Sequence, residues 1–244
     1  MKVSTIRELL VQAEENWGEE IVIRYKSGKG TVAEKSYTDL RKDSEHFSDL
    51  LEALKVRGGH VALIGPTSYE WILSYFGTVN SGSVAVPLDA SLPAADVCEL
   101  VDRADAVVLV ADEARKDVLE AARIQCPKLR YLISMQKTED GDGILALPKL
   151  MEMTLEEMEP GTGAKADPQP DQLASILFTS GTTGKSKGVM LTHRNLAENA
   201  TCLDMKFPKR SVLLSVLPVH HAYCLSMDIL KGICLNIFFF INLL

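Results

Sequence analysis

Hydrophobic positions recur along the chain with two periods, one typical of amphipathic helices and the other of buried strands. The helical period predicts a first helix over residues 5–15 and a longer one that begins at an N-cap at Thr38 and ends before Gly58. Between them, the β-rich stretches 21–25 and 31–37 flank a Ser-Gly-Lys-Gly turn, which predicts a β-hairpin.

From residue 60 onward, short apolar runs alternate with helix-like segments. The runs cover residues 61–64, 84–86, 107–110 and 131–133. Short β-rich runs separated by helices indicate βα units, in which parallel strands form a sheet that helices cover on both faces. The predicted fold class is therefore α/β, with a mostly parallel sheet flanked by helices.

A change in composition divides the chain. Residues 137–172 are rich in glycine, proline and acidic side chains, and we expect a surface connection with one short helix near residues 154–158. This connection separates a first α/β subregion, residues 1–136, from a phosphate-loop region, residues 173–244.

The phosphate-loop region ends with two apolar runs. Residues 211–217 have the composition of a buried strand, and they lead into Pro218-Val-His-His221. Residues 234–244 are also apolar, but this run is too short to cross a bilayer. We expect it to be a truncated core strand or a frameshifted tail, in which residues 237–241 form an unpaired strand edge that is prone to aggregation.

Composition narrows the class of protein. The 244-residue chain is 46% hydrophobic, enough for a sizeable core, and its net charge of −7 argues against a nucleic-acid-binding protein. Its five cysteines form no C-x-x-C pair, so neither a disulfide framework nor a zinc ribbon is indicated. Because the first residues also lack the apolar segment of a signal peptide, we expect a cytoplasmic protein without a transmembrane segment.

A loop rich in glycine and small hydroxyl residues lies between an apolar run at 176–178 and a second predicted strand at 188–191. Hydroxyls and backbone N–H groups beside glycines suit phosphoryl oxygens, so we interpret this loop as a phosphate cradle. The predicted nucleotide contacts are Thr179, Ser180, Gly181, Thr182, Thr183, Gly184 and Lys185. We also expect Lys187, His193 and Arg194 to add positive charge beside the loop.

A P-loop fits these residues less well. It would need glycine at position 179, where the chain has threonine, and its lysine would begin a helix. Here a strand is predicted after the loop, and the next helix is expected only after an N-cap at Thr192. A phosphotransferase with a variant P-loop is therefore the weaker alternative.

The segment from Phe178 to Gly188 resembles the signature of the adenylate-forming enzymes, a superfamily that includes acyl-CoA synthetases, luciferases and the adenylation domains of peptide synthetases. In that signature an aromatic residue or leucine precedes T-S-G-S/T-T-G-x-P-K-G. The chain departs from it only at Ser186, where proline is usual. This departure removes no phosphate donor.

A second segment, Leu217 to His221, resembles the family's L-P-x-F/H-H pattern, in which the final histidine lines the acyl pocket. The resemblance implies that His221 acts at the reacting carboxylate, while His220 occupies a position where phenylalanine is common. Two alternatives stay open for this histidine pair. They are a purely structural role and a zinc site with Cys224, although the spacing matches no standard zinc pattern.

The resemblance implies the N-terminal portion of an acyl-CoA synthetase or long-chain fatty acid–CoA ligase. Such enzymes use ATP, Mg²⁺ and a carboxylic acid, here expected to be a fatty acid, to form an acyl-adenylate and pyrophosphate; coenzyme A then accepts the acyl group. The family's C-terminal domain, with its catalytic lysine, has no counterpart in this sequence, so we expect the chain alone to be catalytically incompetent. A nucleotide-binding fragment without turnover, or a pseudogene product, is the alternative.

Overall fold

The computed structural model describes residues 1–27, 31–153, 166–179, 186–202, 207–208 and 211–241. Its helices are α1 (Ile6–Trp17), α2 (Tyr37–Ala53), α3 (Tyr69–Asn80), α4 (Ala94–Arg103), α5 (Lys116–Gln125), α6 (Leu147–Glu152), α7 (His193–Thr201) and α8 (Lys231–Cys234). Its strands are β1 (Ile21–Ser27), β2 (Thr31–Ser36), β3 (His60–Ile64), β4 (Val84–Leu88), β5 (Ala106–Ala111), β6 (Tyr131–Ser134), β7 (Ile144–Ala146), β8 (Leu173–Thr179), β9 (Lys187–Thr192), β10 (Val212–Leu214) and β11 (Phe238–Ile241). A π-helical segment, Cys224–Leu230, leads directly into α8. None of the helices in these ranges is long and apolar enough to cross a membrane.

Within the described residues, the strands form two sheets. The larger sheet has the order β7-β6-β5-β3-β4-β8-β9, and the smaller one has the order β10-β11-β1-β2. All neighbours in the larger sheet are parallel except β8 and β9. The predicted α/β class with a mostly parallel sheet is therefore confirmed. Because the larger sheet grows from β3 toward both sides, a crevice is expected at the carboxyl edge of its strands.

Alternate residues of the central strands face opposite sides of the larger sheet. On β3, Val61 and Leu63 pack in a hydrophobic cluster with α1, α2, α3 and α7. Ala62 and Ile64 pack in a second cluster with α4 and α5. Burial on both faces explains why these strands are apolar at nearly every position.

Helix α2 begins earlier than its sequence suggested. The Ser36 hydroxyl accepts a hydrogen bond from the backbone N–H of Asp39, whose carboxylate accepts from the Ser36 N–H, so the two residues form a capping box. The predicted N-cap at Thr38 is therefore wrong, because Thr38 already lies inside the helix. The helix also ends at Ala53, well before Gly58.

The stretch 137–172 contains regular structure that its composition did not predict. Strand β7 pairs with β6 at the edge of the larger sheet, and α6 follows it directly. Pro148 lies in the first turn of α6, where its missing N–H would have no helical partner anyway. The short helix expected near residues 154–158 lies outside the described residues.

Strand β11 lies inside the smaller sheet. Phe239 is paired in parallel with Ile23 of β1 on one side and with Leu213 of β10 on the other. Phe239 and Ile241 are both buried. The expectation that residues 237–241 form an unpaired strand edge is therefore wrong.

One edge of the smaller sheet is β10, whose neighbourhood is apolar and open to solvent. Val212, Leu214 and Val216 are 59%, 53% and 62% exposed. The run at 211–217 was expected to form a buried strand. This expectation is wrong, because in the described part of the chain β10 has a partner strand, β11, on one side only. Its apolar composition predicts burial, but its side chains at 212, 214 and 216 are exposed.

Candidate active site

Strands β8 and β9 hold the two ends of the glycine-rich loop. They pair antiparallel, with Phe178 opposite Gly188 and Thr179 opposite Lys187. Thr179 is exposed, and its hydroxyl donates to the Lys187 carbonyl oxygen at 3.5 Å. Among the predicted nucleotide contacts, Thr179 thus lies where the loop leaves β8, and the others, residues 180–185, lie outside the described residues.

Packing at both stems of the loop depends on a glycine and an arginine. A Cβ on Gly188 would lie 3.0 Å from Ile176 Cγ2, so Ile176 would have to shift by a few tenths of an ångström, and 3.5 Å from Phe178 Cε1, an ordinary packing distance. The Arg103 guanidinium, at the end of α4, lies 5.6 Å from the centre of the Phe178 ring. Its Nη2 donates to the carbonyl oxygen of Ser186 at 2.7 Å. Arg103 therefore fixes the point where the chain enters β9.

The loop leaves the sheet at the same edge as the residues that follow β4. Strands β4 and β8 are parallel neighbours, with Ala85 opposite Ser175, and the Ser175 hydroxyl donates to the Ala85 carbonyl oxygen at 2.9 Å. Continuing by the same number of residues along each strand leads to Asp89 after β4 and to Thr179 at the end of β8. Both therefore belong to the carboxyl edge, where α/β proteins bind ligands.

Two of the cationic residues expected beside the loop lie at the far end of β9. Arg194 follows that end and pairs with Asp171 at 2.9 Å. His193 is buried there; its Nδ1 accepts a hydrogen bond from the backbone N–H of Ile6 at 3.3 Å, and burial lowers its pKa to about 4. The prediction that His193 and Arg194 add positive charge beside the loop is therefore wrong, because both lie at the far end of β9 and His193 is neutral near pH 7. Lys187 does lie at the loop end of β9.

A cleft of about 570 Å³ opens at the carboxyl edge of the larger sheet. It is lined by the segments after β3 and β4 and by the segment that follows β10. These are residues 65–67, 89–91, 214–218 and 220–221. A Cβ on Gly65 would lie 2.5 Å from Asp112 Cβ, so the close approach of the β3 and β5 ends requires glycine there.

His221, predicted to act at the acyl carboxylate, is exposed on the wall of this cleft. The neighbouring His220 side chain is only 10% exposed, and the centres of the two rings lie 4.4 Å apart. His220 Nε2 lies 3.6 Å from Asp89 Oδ2. The His220 ring is therefore enclosed between Asp89 and His221, and His221 faces the open space.

The Asp89 carboxylate is fixed by its own turn. Its Oδ1 accepts hydrogen bonds from the Ser91 backbone N–H at 2.8 Å and from the Ser91 hydroxyl at 2.7 Å. Burial raises the pKa of Asp89, but the hydrogen bonds from Ser91 and the nearby histidines outweigh it and hold the pKa below its ordinary value. Burial lowers the pKa of His220, and the Asp89 charge partly opposes this. Asp89 is therefore ionised near pH 7.

Sequence reasoning missed Asp89 and Arg103. Each acts on a residue far along the chain, Asp89 on His220 and Arg103 on Ser186, and no short-range pattern links such pairs. One signal could have identified Asp89. This signal is the place of Asp89 in the sequence, directly after a buried parallel strand, because ligand-binding groups of α/β sheets collect at that position.

The zinc alternative finds no support in the described residues. No group of three or more histidine, cysteine, aspartate or glutamate side chains there is placed to hold a metal ion. Cys224 is buried, with its Sγ 3.4 Å from the Ser215 hydroxyl, whereas His221 is exposed. All five cysteines lie in the described ranges, and each is a free thiol.

The sequence profile of the AMP-binding enzyme family matches residues 10–235. Because this match covers most of the chain, the chain belongs to the AMP-binding enzyme family, and the resemblance carried by the glycine-rich loop is confirmed. The loop and cleft described above lie within the matched residues.

Curated relatives of the chain are CoA ligases. The crotonobetaine/carnitine–CoA ligase of Escherichia coli O17:K52:H18 is 28% identical over 226 residues, which cover 90% of this chain and 43% of that protein. The enzyme of the same name from Escherichia fergusonii is 27% identical over 225 residues. The chain thus spans less than half the length of the curated relatives it matches.

Solved structures of adenylate-forming ligases share the fold. A Mycobacterium tuberculosis fatty acyl CoA synthetase superposes with a TM-score of 0.78 at 21% identity, covering 97% of this chain and 44% of that one. The anthranilate CoA ligase AuaEII in complex with anthranoyl-AMP gives a TM-score of 0.84 at 17% identity, with the same two coverages. The N-terminal domain of FACL13 from Mycobacterium tuberculosis gives 0.77 at 22% identity, covering 98% of this chain and 57% of that one. The described fold is therefore that of the N-terminal domain of these ligases.

Proposed function

We propose that this chain is the N-terminal part of an ATP-dependent acid–thiol ligase. In the proposed reaction a carboxylic acid and ATP give an acyl-adenylate and pyrophosphate, and coenzyme A then accepts the acyl group. The observation that carries the proposal is that the phosphate loop and the histidine-lined cleft leave neighbouring parallel strands, β8 and β4, at the same edge of the sheet. Joining a carboxylate to a nucleotide phosphate requires both reactants side by side.

The task assigned to the loop is to hold the phosphates of ATP. Its seven predicted contacts, Thr179 through Lys185, offer hydroxyl, N–H and ammonium donors to the negative charge that develops on departing pyrophosphate. Hydrogen-bond donors lower the activation barrier of the reaction most when the fold holds them in position before the charge develops. The contacts of Arg103 with Ser186 and Phe178 support this assignment, because they anchor the β9 end of the loop.

The task assigned to His221 is catalytic, at the carboxylate of the acid. An imidazole N–H can donate to one carboxylate oxygen and leave the other directed at the α-phosphorus. The exposure of His221 in the cleft supports this role, whereas the enclosed His220 ring is less accessible to a substrate. We propose a fatty acid as the substrate because Leu214, Val216 and Leu217 line the same cleft with apolar surface.

Family membership implies ATP, Mg²⁺ and coenzyme A as reaction partners. Because the described residues include no cluster of metal-binding side chains, we assign Mg²⁺ to none of them and derive no step through it. The free thiols of all five cysteines support a reducing compartment, and we propose a cytoplasmic location.

Titration with octanoate tests the role of His221. His221→Ala should weaken octanoate binding and leave ATP affinity unchanged, because the ring is assigned to the acid and not to the phosphates. His60→Ala is the matched control, since His60 begins β3 at the opposite edge of the sheet. Equal octanoate affinity in the wild type and His221→Ala, or a parallel loss of ATP affinity, would contradict the assignment.

A nucleotide-binding fragment without turnover is the second candidate, and the chain spans 43% of the length of the Escherichia coli relative. Adenylation requires the acid, the α-phosphate and the charge-stabilising groups to be held in line. We expect acid-dependent exchange of labelled pyrophosphate into ATP by the purified chain to remain at background. Robust exchange would mean that the residues of this chain are sufficient for adenylation.

A further inference from the structure

Asp89 presents its two carboxylate oxygens to different partners. Oδ1 accepts both hydrogen bonds from Ser91, at 2.8 and 2.7 Å, which fixes the plane of the carboxylate within its turn. Oδ2 is directed at His220 Nε2, 3.6 Å away. The side chain is thus held from one side and is free to orient an imidazole on the other.

His220 transmits this constraint to the neighbouring ring. Its side chain is 10% exposed, and its ring centre lies 4.4 Å from that of His221, with an angle of 35° between the ring planes. His221 itself is exposed and would otherwise rotate freely about its side-chain bonds. Contact with a fixed neighbouring ring restricts those rotations.

We propose that Asp89 is a positioning residue of the carboxylate-binding cleft, which orients His220 and, through the contact between the two tilted rings, holds His221 toward the substrate carboxylate. This inference rests on the proposed function, in which His221 binds the carboxylate of the acid substrate. Asp89 does not contact the substrate in this assignment. Its negative charge would repel a carboxylate directly, so the intervening His220 ring also separates the two anions.

A comparison within the chain's own motif sharpens the inference. In the family's L-P-x-F/H-H pattern, phenylalanine is common at the position that His220 occupies here. A phenylalanine ring could contact His221 but could not pair with Asp89. Asp89 should therefore matter only when residue 220 is histidine. This dependence separates a positioning role from a general contribution of Asp89 to the cleft wall.

A double-mutant cycle tests the dependence. Asp89→Asn keeps an oxygen that can accept from Ser91 but removes the charge, and His220→Phe keeps a ring of similar size. Octanoate binding is measured by calorimetry for the wild type, both single variants and the double variant. We expect Asp89→Asn to weaken binding about fivefold in the wild type, within the range for neighbouring coupled groups, and to have no effect in the His220→Phe background. An equal loss in both backgrounds, or no loss in either, would overturn the inference.

Imidazole NMR spectra give an independent readout. Asp89→Asn should lower the pKa of His220, since it removes the charge that stabilises the protonated ring, and should shift the ring signals of His221. The ring signals of His60 and His193, at the opposite edge of the sheet, show whether each variant keeps the fold. Unchanged signals from both cleft histidines would refute the positioning role.

The two arms distinguish this inference from the proposed function. If octanoate binds the wild type and the binding depends on His221 but not on Asp89, the positioning role fails and the proposed function stands. If octanoate binds no form of the chain, the carboxylate assignment fails for both, and the imidazole spectra alone decide whether Asp89 orients His220.

Discussion

Acid should destabilise this fold through one buried imidazole. His193 is fully buried at the start of α7, and its Nδ1 accepts a hydrogen bond from the backbone N–H of Ile6. Within the described residues its Nε2 has no hydrogen-bond partner. Protonation would place an unpaired charge in the core and remove the acceptor that Ile6 uses, and burial accordingly lowers the pKa of His193 from 6.5 to about 4.

The size of the effect follows from the two pKa values. Because the folded pKa lies below the unfolded one, the unfolded chain binds the proton more readily. The stability contributed by the neutral ring is thus fully present above about pH 6.5 and is lost progressively as the pH falls toward 4. One pKa unit corresponds to about 1.4 kcal/mol, so the complete loss amounts to about 3 kcal/mol.

Urea unfolding at about pH 7, 5.5 and 4.5 measures this loss. His193→Asn keeps a side-chain acceptor near Ile6 but cannot titrate, so its free energy of unfolding should fall less on acidification. By pH 4.5 we expect the wild type to have lost about 2 kcal/mol more than this variant, relative to pH 7. His221→Asn, which changes an exposed ring, is the control and should follow the wild type. If His193→Asn loses as much stability as the wild type, the buried imidazole is not the acid-sensitive group.

Two further predictions concern the loop and the smaller sheet. Arg103→Ala should weaken ATP binding about fivefold, because the substitution releases the β9 end of the loop. Calorimetry measures the ATP affinity, with Arg123→Ala, which changes an arginine on α5, as the control. Equal ATP affinities in the two variants would contradict the prediction. Replacing Val212 and Leu214 together with lysine should reduce self-association measured by light scattering, because both side chains are exposed on the edge strand β10. Val32→Lys on the opposite edge strand is the control, and unchanged scattering from the double variant would exclude β10 as the contact.

Local patterns predicted much of the larger sheet correctly. The apolar runs at 61–64 and 107–110 became β3 and β5, and Thr192 caps α7 as predicted, with Asn195 completing the capping box. These features depend on neighbouring residues, which a sequence displays directly. Where two hydroxyl residues compete for one helix start, the pattern is ambiguous, and the choice between Ser36 and Thr38 was decided by the hydrogen bond to Asp39.

Pairings between distant segments could not be predicted in the same way. The parallel contact of β11 with β1 joins opposite ends of the chain, and no local signal specifies it. An apolar run also predicts only that burial is favourable and does not say what covers it, so β10 was expected to be buried. The glycine-rich loop was recognisable from its residues, whereas the contact of Asp89 with His220 depends on the packing of two remote segments.

The proposed function requires that the glycine-rich loop bind the phosphates of the nucleotide. Titration of ATP into the chain by calorimetry tests this directly, with Gly184→Val as the variant and Thr138→Val, an exposed threonine after β6, as the control. Valine restricts the backbone and adds bulk where glycine allows close approach of a phosphate. We expect weak ATP binding by the wild type and Thr138→Val and none by Gly184→Val, and equal ATP affinity in all three proteins would contradict the assignment of the loop.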